Sequence, residues 1–170
     1  LSRFPPLPKP PSQMDPASLP PIMLGWANLR GAHLPFARFD NAFLGGAYLE
    51  RTYLVSASLA DAYLMGAHFD GAELSDADLG HTLSEGASFV EANLEGAYLV
   101  DAFLVHADLS GANLARANLE GAFLRGAKLT NAIITGAKLR GIIADRTTIW
   151  PDGFSVRDAE AAGVIFDDDQ

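Results

Sequence analysis

Residues 92–121 consist of six units of five residues each: ANLEG, AYLVD, AFLVH, ADLSG, ANLAR and ANLEG. The same spacing extends in both directions and gives 26 units from Ile22 to Pro151. The first position of a unit is Ala in 21 units, the central third position is Leu in 19, and the fifth is Gly in 11. A period this strict predicts a repeat architecture, in which each unit packs on its neighbours.

The five-residue period excludes a single helix or a flat strand as the repeating element. On an α-helix, five residues advance by about 500°, so successive central leucines would be spread around the whole cylinder. On a flat strand, an odd period sends alternate leucines to opposite faces. A chain that turns a corner in every unit can point each central Leu at one axis, and Gly, Asn and Asp at the fifth position tolerate such a turn. The sequence therefore predicts a coil wound around a Leu core.

A second period, of 20 residues, shows how many units make one circuit. At the second position of every fourth unit the residue is always apolar or aromatic, whereas the other units are mostly polar there. Four units per circuit predict a square cross-section, and 26 units predict about 6.5 coils and a rod about 31 Å long. We call the apolar column the apolar face; its predicted members are Met23, Phe43, Tyr63, Leu83, Phe103, Phe123 and Ile143.

The units Ala92-Asn93-Leu94-Glu95-Gly96 and Ala112-Asn113-Leu114-Ala115-Arg116 resemble the A-(N/D)-L-x-G units of the bacterial pentapeptide-repeat family. This resemblance implies a right-handed quadrilateral β-helix over residues 22–151. Residues 147–154, TTIWPDGF, are similar to the capping sequence that ends many bacterial members. The expected fold class is therefore all-β, a pentapeptide-repeat solenoid with a short C-terminal capping helix.

The two ends of the chain differ from the repeats in composition. Residues 1–21 hold eight of the ten prolines, so we expect a Pro-rich extended arm or linker. It is either a ligand for a proline-binding module or, as we favour, a spacer. Residues 152–170 are expected to form a C-terminal cap, with Ser155 as the N-cap of a helix over 156–162.

The helix is expected to end at Gly163, and the residues after it are expected to pack over the last coil. The tail 167–169 is three aspartates, which we expect to be solvated. The apolar residues expected to pack on the last coil are Val164, Ile165 and Phe166.

One unit, residues 82–86, has Ser84 at the central position and Leu83 before it. Two structures are consistent with this exchange. The backbone bulges and returns Leu83 to the core, or Ser84 is buried with its hydroxyl bonded to a main-chain carbonyl.

An exposed apolar column of this length usually marks a contact surface. Met65 and Val105, at neighbouring fourth positions, extend it. We therefore predict a non-catalytic scaffold that binds a protein partner, or a second copy, through the apolar face. The alternative is an aromatic ladder that only stabilises the stacking of coils.

Charge is distributed unevenly along the repeats. Between Thr52 and Ala115 there are ten acidic residues and no Lys or Arg, whereas residues 116–146 hold six basic residues against two acids. Ordered carboxylates on a rod can imitate the phosphate rows of duplex DNA, and certain family members that protect DNA gyrase from quinolones are thought to act in this way. The second functional hypothesis is therefore a DNA mimic acting on DNA gyrase or another type II topoisomerase. The predicted acidic belt consists of Asp61, Asp70, Glu73, Asp76, Asp78, Glu91, Glu95, Asp101 and Asp108.

Other classes of function are not supported by the sequence. His81 has Asp61 and Asp101 one coil below and above, which predicts a surface charge ladder rather than a zinc site. No spacing places a nucleophile beside a base, and the glycines recur as corners rather than as a phosphate loop. We predict no catalytic residue, no cofactor and no metal.

Composition limits the partners and the compartment. A net charge of −9 argues against direct nucleic-acid binding, and no apolar run is long enough for a membrane span. We expect a cytoplasmic protein. Because residue 1 is Leu rather than Met, a periplasmic or lumenal protein that has lost an upstream signal is the alternative.

Overall fold

The computed structural model describes residues 21–167. Its repeating contact is a parallel β-bridge between a second-position residue and the residue 20 positions later, beginning with Met23 and Phe43. Each circuit therefore contains four units, as the 20-residue period predicts. The second position of each unit forms the bridge, and the fourth and fifth positions form the turn at a corner.

Each coil is bonded to the coils on both sides of it. The Phe43 amide donates to the Ile22 carbonyl at 2.8 Å, and the Leu44 amide donates to the Tyr63 carbonyl at 2.9 Å. At the corner, the Gly46 amide donates to the Met65 carbonyl at 2.9 Å. The backbone hydrogen bonds thus run along the rod axis, so the stability of one coil depends on its neighbours.

The first and third positions of the units form the core. The central leucines from Leu44 to Leu129 are at most 1% exposed, and the alanines beside them are also buried. Ala suits the first position because the backbone turns inward there and leaves little room for a side chain.

The fifth positions from Trp26 to Gly141 have left-handed backbone conformation, in glycines and in other residues alike. Asn41 has φ 59° and Asp61 also 59°, as the turn residues predict, but Trp26 and Arg116, both at 60°, and Glu91, at 56°, share this conformation. A left-handed residue with a side chain costs about 1–2 kcal/mol. The corner hydrogen bonds to the next coil offset that cost, which explains why bulky residues are tolerated.

The last predicted unit, residues 147–151, is wrong by one residue. Lys128 pairs with Ile149 rather than with Thr148, so the chain contains one extra residue after Ile143. Thr148 is buried, whereas Ile149, predicted for the core, is 47% exposed. The count of 26 equal units therefore does not hold at this end.

Ser84 is buried and its unit does not bulge. Leu83 keeps its place between Tyr63 and Phe103 in the ladder. The Ser84 hydroxyl lies 3.1 Å from the Thr82 hydroxyl, which donates to the Leu79 carbonyl at 2.9 Å. The second alternative from the sequence is therefore correct, except that a threonine hydroxyl relays the bond to the carbonyl.

The regular elements are few and lie at the C-terminal end. Strand β1 is Ile143–Ala144, helix α1 is Val156–Ala161, and strand β2 is Ile165–Phe166. The two strands pair in parallel, with Ile143 opposite Ile165. The helix begins with a capping box in which Ser155 and Asp158 bond each other's backbone amides, and it is shorter than the predicted 156–162.

The residues after the helix are only partly as expected. Val164 is buried, but Ile165 is 55% exposed because it faces outward beside Ile143. Asp167 is not simply solvated, since its side chain pairs with Arg125 and its amide donates to the Ala144 carbonyl at 2.9 Å. The rest of the predicted tail and the Pro-rich arm up to residue 20 lie outside the described residues.

Candidate functional site

The seven predicted members of the apolar face form one continuous ladder. Each is bridged to the next, from Met23 to Ile143. Within the ladder the Phe43 and Tyr63 rings stack at a centroid distance of 4.3 Å, and the Phe103 and Phe123 rings at 4.4 Å. The face is therefore a rigid column of side chains, one from each coil.

Much of this column remains exposed to solvent. Met23 is 67% exposed, and Phe43, Tyr63 and Phe103 are between 38% and 41% exposed. Leu83, Phe123 and Ile143 are half-buried. Stacking on the neighbouring coils covers the faces of the rings and leaves their edges open.

The two corners that border the apolar face differ in chemistry. The corner that precedes the column carries Asp61, His81 and Asp101 at successive coils. The corner that follows the column carries Gly45 and then Met65, counted from the N-terminal end of the rod. Met65 is 51% exposed. Glu85, Val105 and Arg125 follow at the same position in the later coils, and Trp26 and His106 lie at the next position of this corner. One edge of the face therefore carries two carboxylates on either side of a histidine. The other edge combines glycine with apolar, acidic and basic side chains.

The members of the acidic belt surround the rod rather than form one row. Glu73, Asp78 and Asp108 point outward from three different faces, none of them the apolar face. The other six lie at corners, and they are Asp61, Asp70, Asp76, Glu91, Glu95 and Asp101.

Several belt carboxylates have partners in the chain. Asp108 lies 3.6 Å from Lys128, and Glu95 pairs with Arg116. Asp70 accepts hydrogen bonds from the Ser88 hydroxyl and from the Val90 amide, the latter at 3.1 Å. These contacts hold the carboxylates in defined positions and neutralise part of the belt.

The environment of Asp108 favours its charged form. Burial raises the pKa of the Asp108 carboxyl. Hydrogen bonds from Ser110 and the nearby Lys128 ammonium lower this pKa, and together they outweigh the effect of burial. The net result is a pKa below the ordinary value of 3.8. Asp108 is therefore a carboxylate at neutral pH.

The predicted His81 ladder is present as a column. The Nδ1 atom of His81 lies 3.8 Å from an Asp101 carboxylate oxygen. Among residues 21–167 no group of His, Asp and Glu side chains has the arrangement of a metal site. The structure thus places His81 beside Asp101 at one corner, and the charge ladder stays a prediction.

Exposed aromatic residues that the sequence argument missed lie at the N-terminal end. Trp26 and Phe36, both at fifth positions, are 73% and 72% exposed. The Trp26 ring covers Gly46, because a Cβ at Gly46 would lie 2.6 Å from ring atoms. An aromatic residue at a corner position, where Gly, Asn or Asp is typical, was the signal for both.

The other faces carry shorter aromatic ladders. His33 and Tyr53 stack at 4.7 Å, and Tyr48 and His68 at 5.3 Å. Near them, Arg30, Gly31, Glu50, Arg51 and Asp70 line an open depression of about 540 Å³. Arg30 pairs with Glu50 at 3.0 Å, so two of the charges that line this depression neutralise each other.

Comparison with known proteins identifies the family. The sequence profile described as pentapeptide repeats matches residues 43–80, 87–126 and 107–143, in eight copies, and covers more than half of the chain. The chain belongs to the pentapeptide-repeat family. This pentapeptide-repeat protein therefore has the right-handed β-helix of its family, a fold that is typically a non-catalytic scaffold. No curated protein gives a significant match.

Solved structures similar to this pentapeptide-repeat protein come from several organisms. HetL, a protein involved in heterocyst differentiation regulation in the cyanobacterium Nostoc, is 34% identical over 79% of this chain and 73% of its own, with a TM-score of 0.36. A pentapeptide repeat protein of the Arabidopsis thaliana thylakoid lumen is 34% identical over 66% of this chain and 65% of its own, with a TM-score of 0.37. QnrB1, a plasmid-mediated fluoroquinolone resistance protein, is 19% identical over 79% of this chain and 80% of its own, with a TM-score of 0.38.

Within residues 21–167, no helix has the length and the apolar composition needed to cross a bilayer.

Proposed function

We propose that this pentapeptide-repeat protein is a non-catalytic scaffold, a rigid rod that binds a protein partner or a second copy through the apolar face. The observation that carries the proposal is the unbroken apolar column from Met23 to Ile143, four of whose seven members are exposed. A repeat protein can place a polar residue at any second position without changing its core, as the neighbouring faces do with Asn28 and Lys128. An apolar residue in every coil of one face therefore indicates a selected contact surface.

The rigidity of the column supports this function. Its rings are stacked and its backbone is bonded to both neighbouring coils, so little side-chain entropy is lost when a partner binds. Burying the exposed part of one such side chain contributes about 1 kcal/mol. Several of them together can hold a partner without a deep pocket.

The experiment replaces Phe43, Phe103 and Phe123 by Ser in one variant. We expect loss of association in ultracentrifugation and in pull-down from the native host, with unchanged circular dichroism. The matched control replaces Tyr53 and Tyr98, which are 39% and 49% exposed on other faces, by Ser. Association that survives in the apolar-face variant, or is lost equally in the control, would refute the proposal.

The C-terminal segment has a separate structural role in this proposal. We propose that residues 152–170 close the end of a β-helix that spans residues 22–151, while residues 1–21 act as a spacer. Burial of Ala159 and Val164, together with the pairing of β2 with β1, supports this division for the described part. An uncovered β edge would otherwise recruit other chains.

The proposed compartment is the cytoplasm. One relative is described as a protein of the thylakoid lumen, so a lumenal or periplasmic location is the alternative. Fractionation of the native host with a tagged chain distinguishes the two, because a lumenal protein would be protected from protease by a closed membrane.

A second candidate is a DNA mimic that acts on DNA gyrase. The observation in its favour is the fixed geometry of belt carboxylates: Asp78 accepts from the Gly80 amide at 2.9 Å and Asp108 from the Ser110 amide at 3.0 Å. Against it, Glu95, Asp101 and Asp108 each lie beside a basic side chain. A gyrase supercoiling assay, with and without a quinolone, tests the candidate. If micromolar protein neither inhibits gyrase nor protects it from the quinolone, the candidate is refuted.

A further inference from the structure

We infer that the occupant of the apolar face is a second copy of this chain, packed side by side and parallel, with equal coils at the same level. This inference rests on the proposed function, because it names the partner of the same face. Two observations carry it: the spacing of the ladder along the rod, and the charges on the two corners that border it.

The axial spacing of the ladder favours a second β-helix. Adjacent coils are about 4.8 Å apart, whereas a helix lying along the rod repeats every 5.4 Å or so, and an extended strand presents same-face residues about every 6.7 Å. Over the six steps from Met23 to Ile143, a helix falls out of step by about 3.6 Å and a strand by about 11 Å. A second copy stays in register at every coil.

The border charges select the orientation. In a parallel pair, the corner that precedes the column faces the corner that follows it in the other copy. His81 then meets Glu85 of the second copy, while Asp61 meets Met65 and Asp101 meets Val105. No like charges meet, and one contact between an imidazole and a carboxylate forms twice across the two-fold axis.

An antiparallel pair with the ladder in full overlap has the opposite result. Its two-fold axis is perpendicular to the rods and lies in the interface at the level of Leu83, the middle member of the column. Each corner therefore faces the same corner of the other copy. Asp61 would then meet Asp101, and Glu85 would meet Glu85. Like charges placed directly opposite destabilise such contacts.

His81 is suited to a contact across the interface. Its side chain is 58% exposed, and its Nδ1 atom faces Asp101 of its own chain. Within residues 21–167 the structure gives Nε2 no hydrogen-bond partner, so this nitrogen can donate to Glu85 of the second copy. Gly66 and Gly86 beside the following corner have no atoms near the position of a Cβ, which lets the second copy approach closely.

The test of orientation uses the absence of cysteine from the chain. Tyr63→Cys and Phe103→Cys are made separately and oxidised under mild conditions. In a parallel pair each column residue faces its own copy, so both variants form disulfide-linked dimers, since a disulfide needs Cβ atoms about 4 Å apart. An antiparallel pair brings at most one level of the column onto itself, so the two variants cannot both cross-link. Tyr98→Cys, on another face, is the control and should form no disulfide-linked dimer.

A charge-exchange series tests the predicted contact. We expect His81→Glu to weaken dimerisation by about tenfold or more, because it places two carboxylates together. Glu91 shows that a glutamate is accommodated in this corner conformation. Adding Glu85→Lys to His81→Glu should restore dimerisation, whereas His68→Glu, on the adjacent face, should leave it unchanged.

The outcomes separate this inference from the proposed function. Cross-linking of both cysteine variants, with rescue by charge exchange, supports the parallel dimer. Cross-linking only in a mixture of the two variants overturns the orientation. If ultracentrifugation shows a monomer, the second copy is not the occupant. The proposed function then fails as well only if the apolar-face variant still binds its partner in pull-down.

Discussion

The first coil and the middle coils of this rod are made of the same unit but bury it to different degrees. Leu24, Leu29 and Leu34 in the first coil are half-buried, whereas Leu44 and Leu94 are fully buried. Within residues 21–167 the second-position amides of the first coil have no backbone partner, and those of the next coil do. Burial in this fold therefore comes from the adjacent coil rather than from the unit itself.

The C-terminal end shows the same rule from the other side. There Ile165 supplies the missing bridge to Ile143, and Val164 and Ala159 are buried against the last coils. A coil becomes fully stable only when another segment provides both the hydrogen bonds and the apolar cover. The two ends differ because only one has such a segment among the described residues.

The largest expected effect contrasts a middle leucine with one in the first coil. Leu94→Ala should lower the free energy of unfolding by about 3 kcal/mol or more, since it leaves a cavity in a fully packed site. Leu29→Ala should cost about 1 kcal/mol, because Leu29 is half-buried. Urea denaturation followed by circular dichroism measures both; equal losses would mean that the ends are as well packed as the middle.

The irregular coil at Ser84 offers a second contrast. Its next central residue is Phe89, which stacks on Phe69 at 5.0 Å, so larger rings accompany the small serine. Ser84→Leu should therefore overpack the core and cost about 1–3 kcal/mol, although it restores the repeat pattern.

Combining Ser84→Leu with Phe89→Leu should recover part of that loss, as shown by the midpoint of urea unfolding. If Ser84→Leu alone stabilises the chain, the volume compensation between Ser84 and Phe89 is absent.

A matched pair of glycines tests the contact between the first two coils. Gly46 and Gly66 have φ of 62° and 63°, so Ala costs about 1 kcal/mol at either site through backbone strain. At Gly46 the new methyl group would also strike the Trp26 ring, whereas nothing lies near it at Gly66. Gly46→Ala should therefore destabilise more, and Trp26 fluorescence should change in that variant.

The smallest expected effect concerns pH and the slipped last unit. Burial raises the pKa of Asp145, but hydrogen bonds from Thr147, Gly126 and Thr148 lower it below its ordinary value of 3.8. A carboxyl with a lowered pKa stabilises the fold above pH 3.8 or so, and this contribution is lost as the pH falls through the folded value.

Asp145→Asn should therefore cost about 1 kcal/mol at neutral pH and reduce the loss of stability in acid. Thermal unfolding of both proteins between pH 7 and about pH 3 measures the difference. Parallel pH profiles would exclude Asp145 as a source of the acid sensitivity.

Most of the fold could be predicted from spacing alone. The 20-residue circuit and the outward position of Phe43 and Phe103 follow from the pattern, because any other circuit would mix apolar and polar residues in one column. The slip after Ile143 could not be predicted, since residues 147–151 still satisfy the five-residue spacing. Only the pairing of Lys128 with Ile149 reveals it.

The candidate site was predictable to a smaller extent. The members of the apolar face follow from the sequence, but the chemistry of its borders depends on which corner lies beside which column. The partial neutralisation of the belt at the corners cannot be predicted from spacing either. Glu95 and Arg116 are 21 residues apart and meet because one coil lies on the next.

The sequence by itself determined the coil, its circuit of four units and the identity of its inward and outward residues. These depend on local backbone geometry and on the requirement to bury one large aliphatic side chain per unit, and both repeat along the chain. The tertiary structure decided how deeply each unit is buried, which carboxylates are paired and where the repeat slips. These properties depend on contacts between coils, and a contact between coils is set by what lies above and below rather than by the unit.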